Sequence, residues 1–260
     1  MQSQLSFPKP KEELMRKSLI ITVAILAISG LALTGCCGKL FREAYEEVEE
    51  AQTTSSAKFA GTYAVEGDGY TATLSIQKTG KGYHLKWDMP DGSAYYGKGL
   101  EMNEVLGVVF SQEAGSGAGV VAYKKAGDVI TGLWVSAGGE QLFYEKSGGA
   151  ATLRASSREL EGEYSITGTN TDGSTYEGKL NILATGEAWS AQWLTGGGEV
   201  YGSGMVADNV LVLGYGNEEG LGVAVYEIKA SKLDGIWMFA EYAGMSRAGT
   251  IYTGTEKAKK

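Results

Sequence analysis

Few residues in this 260-residue chain are of a type that performs covalent or acid–base chemistry. There is one histidine, His84, and two cysteines, the adjacent Cys36 and Cys37. A Ser–His–Asp triad needs a histidine set between a nucleophile and a carboxylate, and a zinc site needs three or four nitrogen, sulfur or oxygen ligands. His84 alternates with Tyr83, Leu85 and Trp87. A period of two puts it on the face opposite those side chains, toward solvent. Asp172 and Glu177 are candidates for the paired carboxylates of a glycosidase, but acidic residues are so numerous that the pair carries little weight. Asn170–Ser174 and Asn217–Gly220 read as calcium loops only loosely, because neither has the ligand alternation of an EF-hand. Asp-Gly and Glu-Gly are ordinary turn chemistry. Gly97-Lys98-Gly99 lacks the Gly-Lys-Ser/Thr and the following helix of a phosphate loop. The expectation is a protein without catalytic residues, metal ligands or cofactor.

The cysteines point to a different chemistry. Arg16 and Lys17 precede an apolar run from Leu19 to Leu33, broken only by Thr22, Ser29 and Gly30. A basic start and an apolar stretch of this length form the secretory pattern, and the run is shorter than the roughly 20 apolar residues of a membrane span. It ends in Leu33-Thr34-Gly35-Cys36, where small residues give a signal peptidase access to the backbone and the thiol can accept a diacylglycerol. The segment resembles the lipobox of bacterial lipoproteins. That resemblance implies a signal peptide over 1–35 (starting at Met1 or Met15), a lipid on Cys36, and anchoring in the bacterial cell envelope by several acyl chains. Cys37, where sorting to the inner membrane uses Asp, implies the outer membrane if the organism has one. Residues 36–58, with the acidic run Glu43–Glu50, read as a tether. With both cysteines at the anchor, the folded part has no disulfide.

Removing residues 1–35, which carry four basic and two acidic side chains, takes the net charge from −8 to −10. An acidic surface repels phosphate backbones, so nucleic acid is not an expected partner. Lys257, Lys259 and Lys260 read as a solvated basic tail over 257–260. The 39 glycines and 15 tyrosines against 3 prolines suggest short strands joined by tight turns.

Those strands come in two matched sets. Gly61-x-Tyr63-x-Val65-x-Gly67 matches Gly162-x-Tyr164-x-Ile166-x-Gly168, and Tyr70…Leu74-x-Ile76 matches Tyr176…Leu180-x-Ile182. Trp87 matches Trp193, Tyr96-Gly97-x-Gly99 matches Tyr201-Gly202-x-Gly204, Tyr123 matches Tyr226, and Gly132-x-Trp134 matches Gly235-x-Trp237. Matched positions at matched spacing define a tandem repeat, over 59–147 and 160–256 with a linker at 148–159. Insertions fall at Thr169–Ser174 and around Met238–Gly249. Within each unit Tyr70, Ala72, Leu74 and Ile76 alternate with polar residues, as do Trp189, Ala191 and Trp193. That is half-buried antiparallel strand. Strand starts near Gly61, Tyr70, Tyr83, Tyr95, Val105, Val120, Ile130 and Gln141 give eight per unit. The expected fold is all-β: two tandem homologous β-meander domains, each an eight-stranded up-and-down barrel able to fold alone. A β-sandwich or one larger shared barrel is the alternative.

The motif series resembles a repeat of poorly characterised bacterial envelope proteins, some labelled fibronectin-binding. The resemblance implies adhesion without assigning it to residues. The architecture is similar to avidin and lipocalins without their sequence signatures. The inward aromatics Tyr63, Tyr70, Tyr83, Trp87, Tyr123, Trp134, Tyr164, Tyr176, Trp189, Trp193, Tyr226 and Trp237 are expected to pack the barrel interiors. An eight-stranded barrel is only just wide enough for its own side chains. A pocket for an apolar ligand is the alternative. Partners are then the membrane, through the lipid, and an extracellular protein or glycan on the outward faces. The function expected is non-catalytic binding or surface interaction, with carrier, structural component and, last, hydrolase as alternatives. The anchor is checked by labelled palmitate, which wild type should incorporate and Cys36→Ser should not; equal labelling of both removes the lipoprotein expectation.

Overall fold

A computed structural model describes residues 57–136, 141–148, 159–186, 188–216, 221–229, 232–240 and 251–260. The expected signal peptide, Leu33, Thr34, Gly35, Cys36, nearly all of the tether, most of the linker and the carboxylates Glu218 and Glu219 lie outside these residues.

Sixteen strands follow one another among the described residues. The first eight are β1 (Gly61–Gly67), β2 (Tyr70–Thr79), β3 (Gly82–Asp88), β4 (Ala94–Met102), β5 (Val105–Ser111), β6 (Gly119–Ala126), β7 (Val129–Val135) and β8 (Phe143–Ser147). The second eight are β9 (Gly162–Thr169), β10 (Thr175–Thr185), β11 (Ala188–Thr195), β12 (Gly198–Ala207), β13 (Val210–Tyr215), β14 (Gly222–Lys229), β15 (Lys232–Ala240) and β16 (Ile251–Lys259). Every start expected in the first repeat falls within two residues of an observed one. Asp91-Gly92-Ser93 and Asp172-Gly173-Ser174 make the same turn: the Asp Oδ1 accepts from the Ser amide at 2.9 Å and from its hydroxyl at 2.6 Å, with the glycine at positive φ.

The strands close into two antiparallel eight-stranded barrels, as expected, but the barrels are not the repeats. One is continuous in sequence, β6 through β13, with β13 pairing back onto β6. The other is split, with β1–β5 joined to β14–β16, β5 pairing with β14 and β1 with β16. The inserted barrel therefore interrupts the split one, and the boundaries 59–147 and 160–256 cut across both. This corrects the expectation that each repeat closes alone. The physical reason lies in the duplication itself. Gly119-Val-Val-Ala-Tyr123 and Gly222-Val-Ala-Val-Tyr226 offer β5 nearly the same edge, so β14 can take the place next to β5 that β6 would hold in a self-closed repeat.

Parity divides the apolar residues into three clusters. Tyr63, Leu74, Tyr83, Leu85, Leu106 and Tyr226 fill the interior of the split barrel, and Tyr123, Tyr164, Leu180, Trp189, Trp193 and Leu211 that of the inserted one. The third cluster lies on outward faces: Leu100, Val105, Val109, Val223 and Val225 from the split barrel meet Val120, Ala122, Val210 and Val212 from the inserted barrel. Strands β5, β6, β13 and β14 are thus buried on both sides, which is why they lose the alternation of their neighbours. Glycines let the barrels approach. A Cβ on Gly107 would sit 2.6 Å from Val212, and one on Gly214 would sit 2.9 Å from Val109.

The terminal lysines are a second correction. Lys257 and Lys259 belong to β16, paired with both β1 and β15, with Ala258 fully buried between them. They are the outward residues of the strand that seals the barrel, not a tail. Residues 148–159 likewise connect two strands of the inserted barrel rather than two domains: Ser147 pairs with Ile166, and the Gly148 amide donates to the Ser165 carbonyl at 2.8 Å.

A chain truncated after Gly216 keeps all strands of the inserted barrel and loses three of the split one. Hydrogen exchange should then find β6–β13 protected and β1–β5 open. Protection of β1–β8 with β9–β13 open would instead mean that a repeat closes on itself.

Candidate functional site

The glycines of the repeated motif are seats for aromatic rings. Gly67 and Tyr70 are direct cross-strand partners, as are Gly168 and Tyr176, Gly132 and Tyr123, Gly235 and Tyr226, and Gly254 and Trp237. A Cβ on any of these glycines would lie 2.2–2.6 Å from the opposing ring. Each ring therefore lies flat over the neighbouring strand rather than reaching toward the barrel axis. Eight of the twelve expected aromatics are buried in the two interior clusters and the other four pack against them, so the interiors are aromatic as expected except near one end. Rings laid on the wall leave the axis open near one end.

The twelve inward aromatics divide by height. At the closed end of the split barrel, Phe59 is fully buried, its carbonyl accepts the Tyr63 hydroxyl at 2.7 Å, and its ring meets Tyr83 edge-on at 5.9 Å. Leu160, Tyr164 and Trp189 occupy the matching end of the inserted barrel, with the Tyr164 hydroxyl 2.9 Å from the Leu160 carbonyl. Burial raises the Tyr164 hydroxyl to about 12. Tyr70, Trp87, Tyr226 and Trp237 line the opposite end of the split barrel, and Tyr123, Trp134, Tyr176 and Trp193 that of the inserted barrel.

At this second end each barrel holds one buried carboxylate. Glu256 accepts the hydroxyls of Tyr70 and Tyr226, and the Trp87 indole N–H reaches its Oε1 at 3.4 Å. Glu145 accepts the hydroxyls of Tyr123 and Tyr176, while the Trp193 N–H donates to the Tyr123 hydroxyl at 2.8 Å. The residues are matched pairwise: Glu256 stands opposite Gly235 and Gly67, and Glu145 opposite Gly132 and Gly168. Each constellation draws on both repeats. Burial first, then the carboxylate charge, raises the Tyr70, Tyr226, Tyr123 and Tyr176 hydroxyls far above the ordinary phenol value, so they stay protonated donors.

Sequence reasoning did not single out either glutamate. Matched spacing hides them, because Glu145 follows Trp134 by 11 residues and Glu256 follows Trp237 by 19. The available signal was parity: in Gly254-Thr-Glu256-Lys-Ala258 the glutamate alternates with outward Thr255 and Lys257.

Above the split barrel's carboxylate is a cavity of about 410 Å³, walled by Trp87, Tyr95, Phe110 and Trp237 among others. The inserted barrel's cavity is about 170 Å³. Val121 replaces Ala224 there, Val200 replaces Tyr95, and Tyr215 replaces Phe110 and hydrogen-bonds the Val135 carbonyl at 3.1 Å. The other candidates gather nowhere. His84 is exposed, and Asp172 and Glu177 are exposed, with Glu177 on the face of β10 opposite inward Tyr176. Among the described residues no three histidine, cysteine or acidic side chains form a metal-binding group.

Fold and site together define a class: a double β-barrel whose split barrel holds a cavity of about 410 Å³ among the described residues. No family model, curated protein or solved structure matches the chain.

Glu145 yields a pH prediction. Burial raises its carboxyl above the usual range, and the hydrogen bonds from Tyr123, Tyr176 and Trp193 only partly oppose this. Between the unfolded and folded pKa values the native chain binds more protons, so stability is lost as pH rises through the folded value. Glu145→Gln removes that penalty. Its melting temperature should exceed wild type by a few degrees at pH 8 and converge with it near pH 4. A constant difference at both pH values would mean that the carboxyl titrates alike in both states.

Proposed function

We propose that the chain is a lipid-anchored envelope protein whose split barrel binds a small, largely apolar molecule. The observation behind this reading is the cavity of about 410 Å³. It falls within the roughly 300–1,000 Å³ of small-molecule sites, and its aromatic walls with a single polar end are the usual make-up of such sites. The lipobox-like Leu33-Thr34-Gly35-Cys36 supports the anchored part of the proposal. The reading is non-catalytic, since the carboxylate's neighbours are neutral donors rather than a nucleophile and base.

Surface interaction with a protein or glycan has less to recommend it. The only large apolar side chains exposed among the described residues are Leu183 and Val200. They do not make the contiguous apolar patch that marks a docking face.

The test uses N-phenyl-1-naphthylamine, a neutral apolar probe that brightens when it leaves water. The full chain should bind it with one-to-one stoichiometry. Ala224→Leu, which intrudes on the split barrel's cavity, should weaken binding by roughly tenfold or more, since the lost space displaces the probe. Val121→Leu, at the matched position of the smaller cavity, should leave it unaltered. A probe that stays dark on the wild type, or equal loss in both variants, removes the carrier reading.

A further inference from the structure

We propose that the split barrel selects a small organic cation, an amine or quaternary ammonium carried on an apolar or aromatic body, with its charged end toward Glu256. The proposal rests on the reading of the same cavity as a ligand site and adds the chemistry of the ligand.

The first argument is charge. Glu256 is 4% exposed and lies at the polar end of the cavity. Its three hydrogen-bond donors among the described residues, Tyr70, Tyr226 and Trp87, are all neutral. Ion pairs among the described residues engage Lys58, Lys86, Lys179 and Lys229, and none of these reaches Glu256. Neutral donors solvate a carboxylate but do not cancel its field, so the cavity keeps an attraction for positive charge. Two of the donors sit on Oε1 and one on Oε2, which leaves Oε2 with capacity to accept from an ammonium N–H. An anion entering the same space would meet the carboxylate with no counter-charge among the described residues.

The walls give the second argument. Phe110 is the hub of an aromatic set, 5.5 Å from Trp87, 5.9 Å from Tyr95 and 6.2 Å from Phe239 between ring centroids. Trp237 and Tyr70 meet at 6.3 Å on the other side. Ring faces attract cations through their quadrupole, most strongly where water is excluded. The methyl groups of a quaternary ammonium are accommodated by such a wall, whereas a strongly hydrated inorganic cation is not. The acidic net charge of the chain adds a long-range attraction of the same sign.

The inserted barrel shows what the larger cavity adds. It keeps the glutamate, both tyrosines and both tryptophans, yet it has Val200 and Thr195 where the split barrel has Tyr95 and Met89, and less than half the volume. The shared constellation is therefore the structural part, and the extra ring and space are what make the split barrel a site for a cation with an apolar body.

The test is a charge series on one naphthylmethyl body, measured by calorimetry on the full chain at pH 7.5: (2-naphthylmethyl)trimethylammonium, its neutral tert-butyl isostere 2-neopentylnaphthalene as the size control, 2-naphthylmethanol and 2-naphthylacetate. The cation should bind one-to-one and about tenfold or more tighter than both the isostere and the alcohol, a gap in keeping with a desolvated cation–π site, and the acetate should bind weakest. Glu256→Gln should bring the cation to the isostere's affinity. If that variant does not fold, the wild-type series decides alone. Isostere, alcohol or acetate binding as tightly as the cation would overturn the cation proposal while leaving the cavity a ligand site. Failure of all four, together with failure of N-phenyl-1-naphthylamine, would overturn both.

Discussion

A buried carboxylate held by tyrosines from both repeats is the interaction on which each barrel depends. Glu256 on β16 ties itself to Tyr70 on β2, Trp87 on β3 and Tyr226 on β14. Glu145 on β8 ties itself to Tyr123 on β6 and Tyr176 on β10, with Trp193 on β11 behind them. Taking a carboxylate out of water costs several kcal/mol, and each hydrogen bond to a charged group returns roughly 1.5–3 kcal/mol. Two or three donors bring that balance near even. Its effect is to require closure, because only a closed barrel brings the carboxylate of a three-strand piece against the tyrosine of a five-strand part.

The glycines follow from the same requirement. A tyrosine whose hydroxyl must reach a carboxylate on the wall cannot point along the barrel axis, so its ring lies across the adjacent strand. Any Cβ beneath it would collide. The motif of paired glycine and aromatic is thus one steric solution used several times, and it explains why glycine is abundant inside strands, where it ordinarily weakens them. The tyrosines were legible in the sequence as inward residues. Their orientation was not, because alternation reports which face a side chain takes and nothing about where its ring goes next. Counting ring volumes without that orientation foresaw the packed interiors and missed the open end.

Strand number, strand starts and barrel closure were readable because alternation and turn chemistry are local. Partner choice is not local. The runs Val105–Val109, Gly119–Ala122 and Val210–Leu213 are apolar at successive positions, which signals burial on both faces and hence a second layer. What the sequence does not distinguish is whether β5 pairs with β6 or with β14. Both partners carry a Gly-Val start and a tyrosine four residues on, and both arrangements leave the same antiparallel neighbours. Lys257 and Lys259 misled for a related reason. A strand that alternates Lys, Ala, Lys at a chain end looks like a polar tail unless its partner strands are known.

The insertion also accounts for why the two barrels agree at the carboxylate and differ at the cavity. The three-strand pieces β6–β8 and β14–β16 each close against five strands from the other repeat. Tyr123, Trp134 and Glu145 on one piece, and Tyr226, Trp237 and Glu256 on the other, must therefore fit a wall they were not duplicated with. A change in either repeat that breaks the fit opens a barrel. Tyr95 against Val200, and Met89 against Thr195, sit on the five-strand parts near the open end and take no part in holding the carboxylate. Substitution there alters the space above the floor without unfastening the barrel. The same connection that makes neither repeat sufficient by itself leaves the two barrels alike at the carboxylate and different in the space above it.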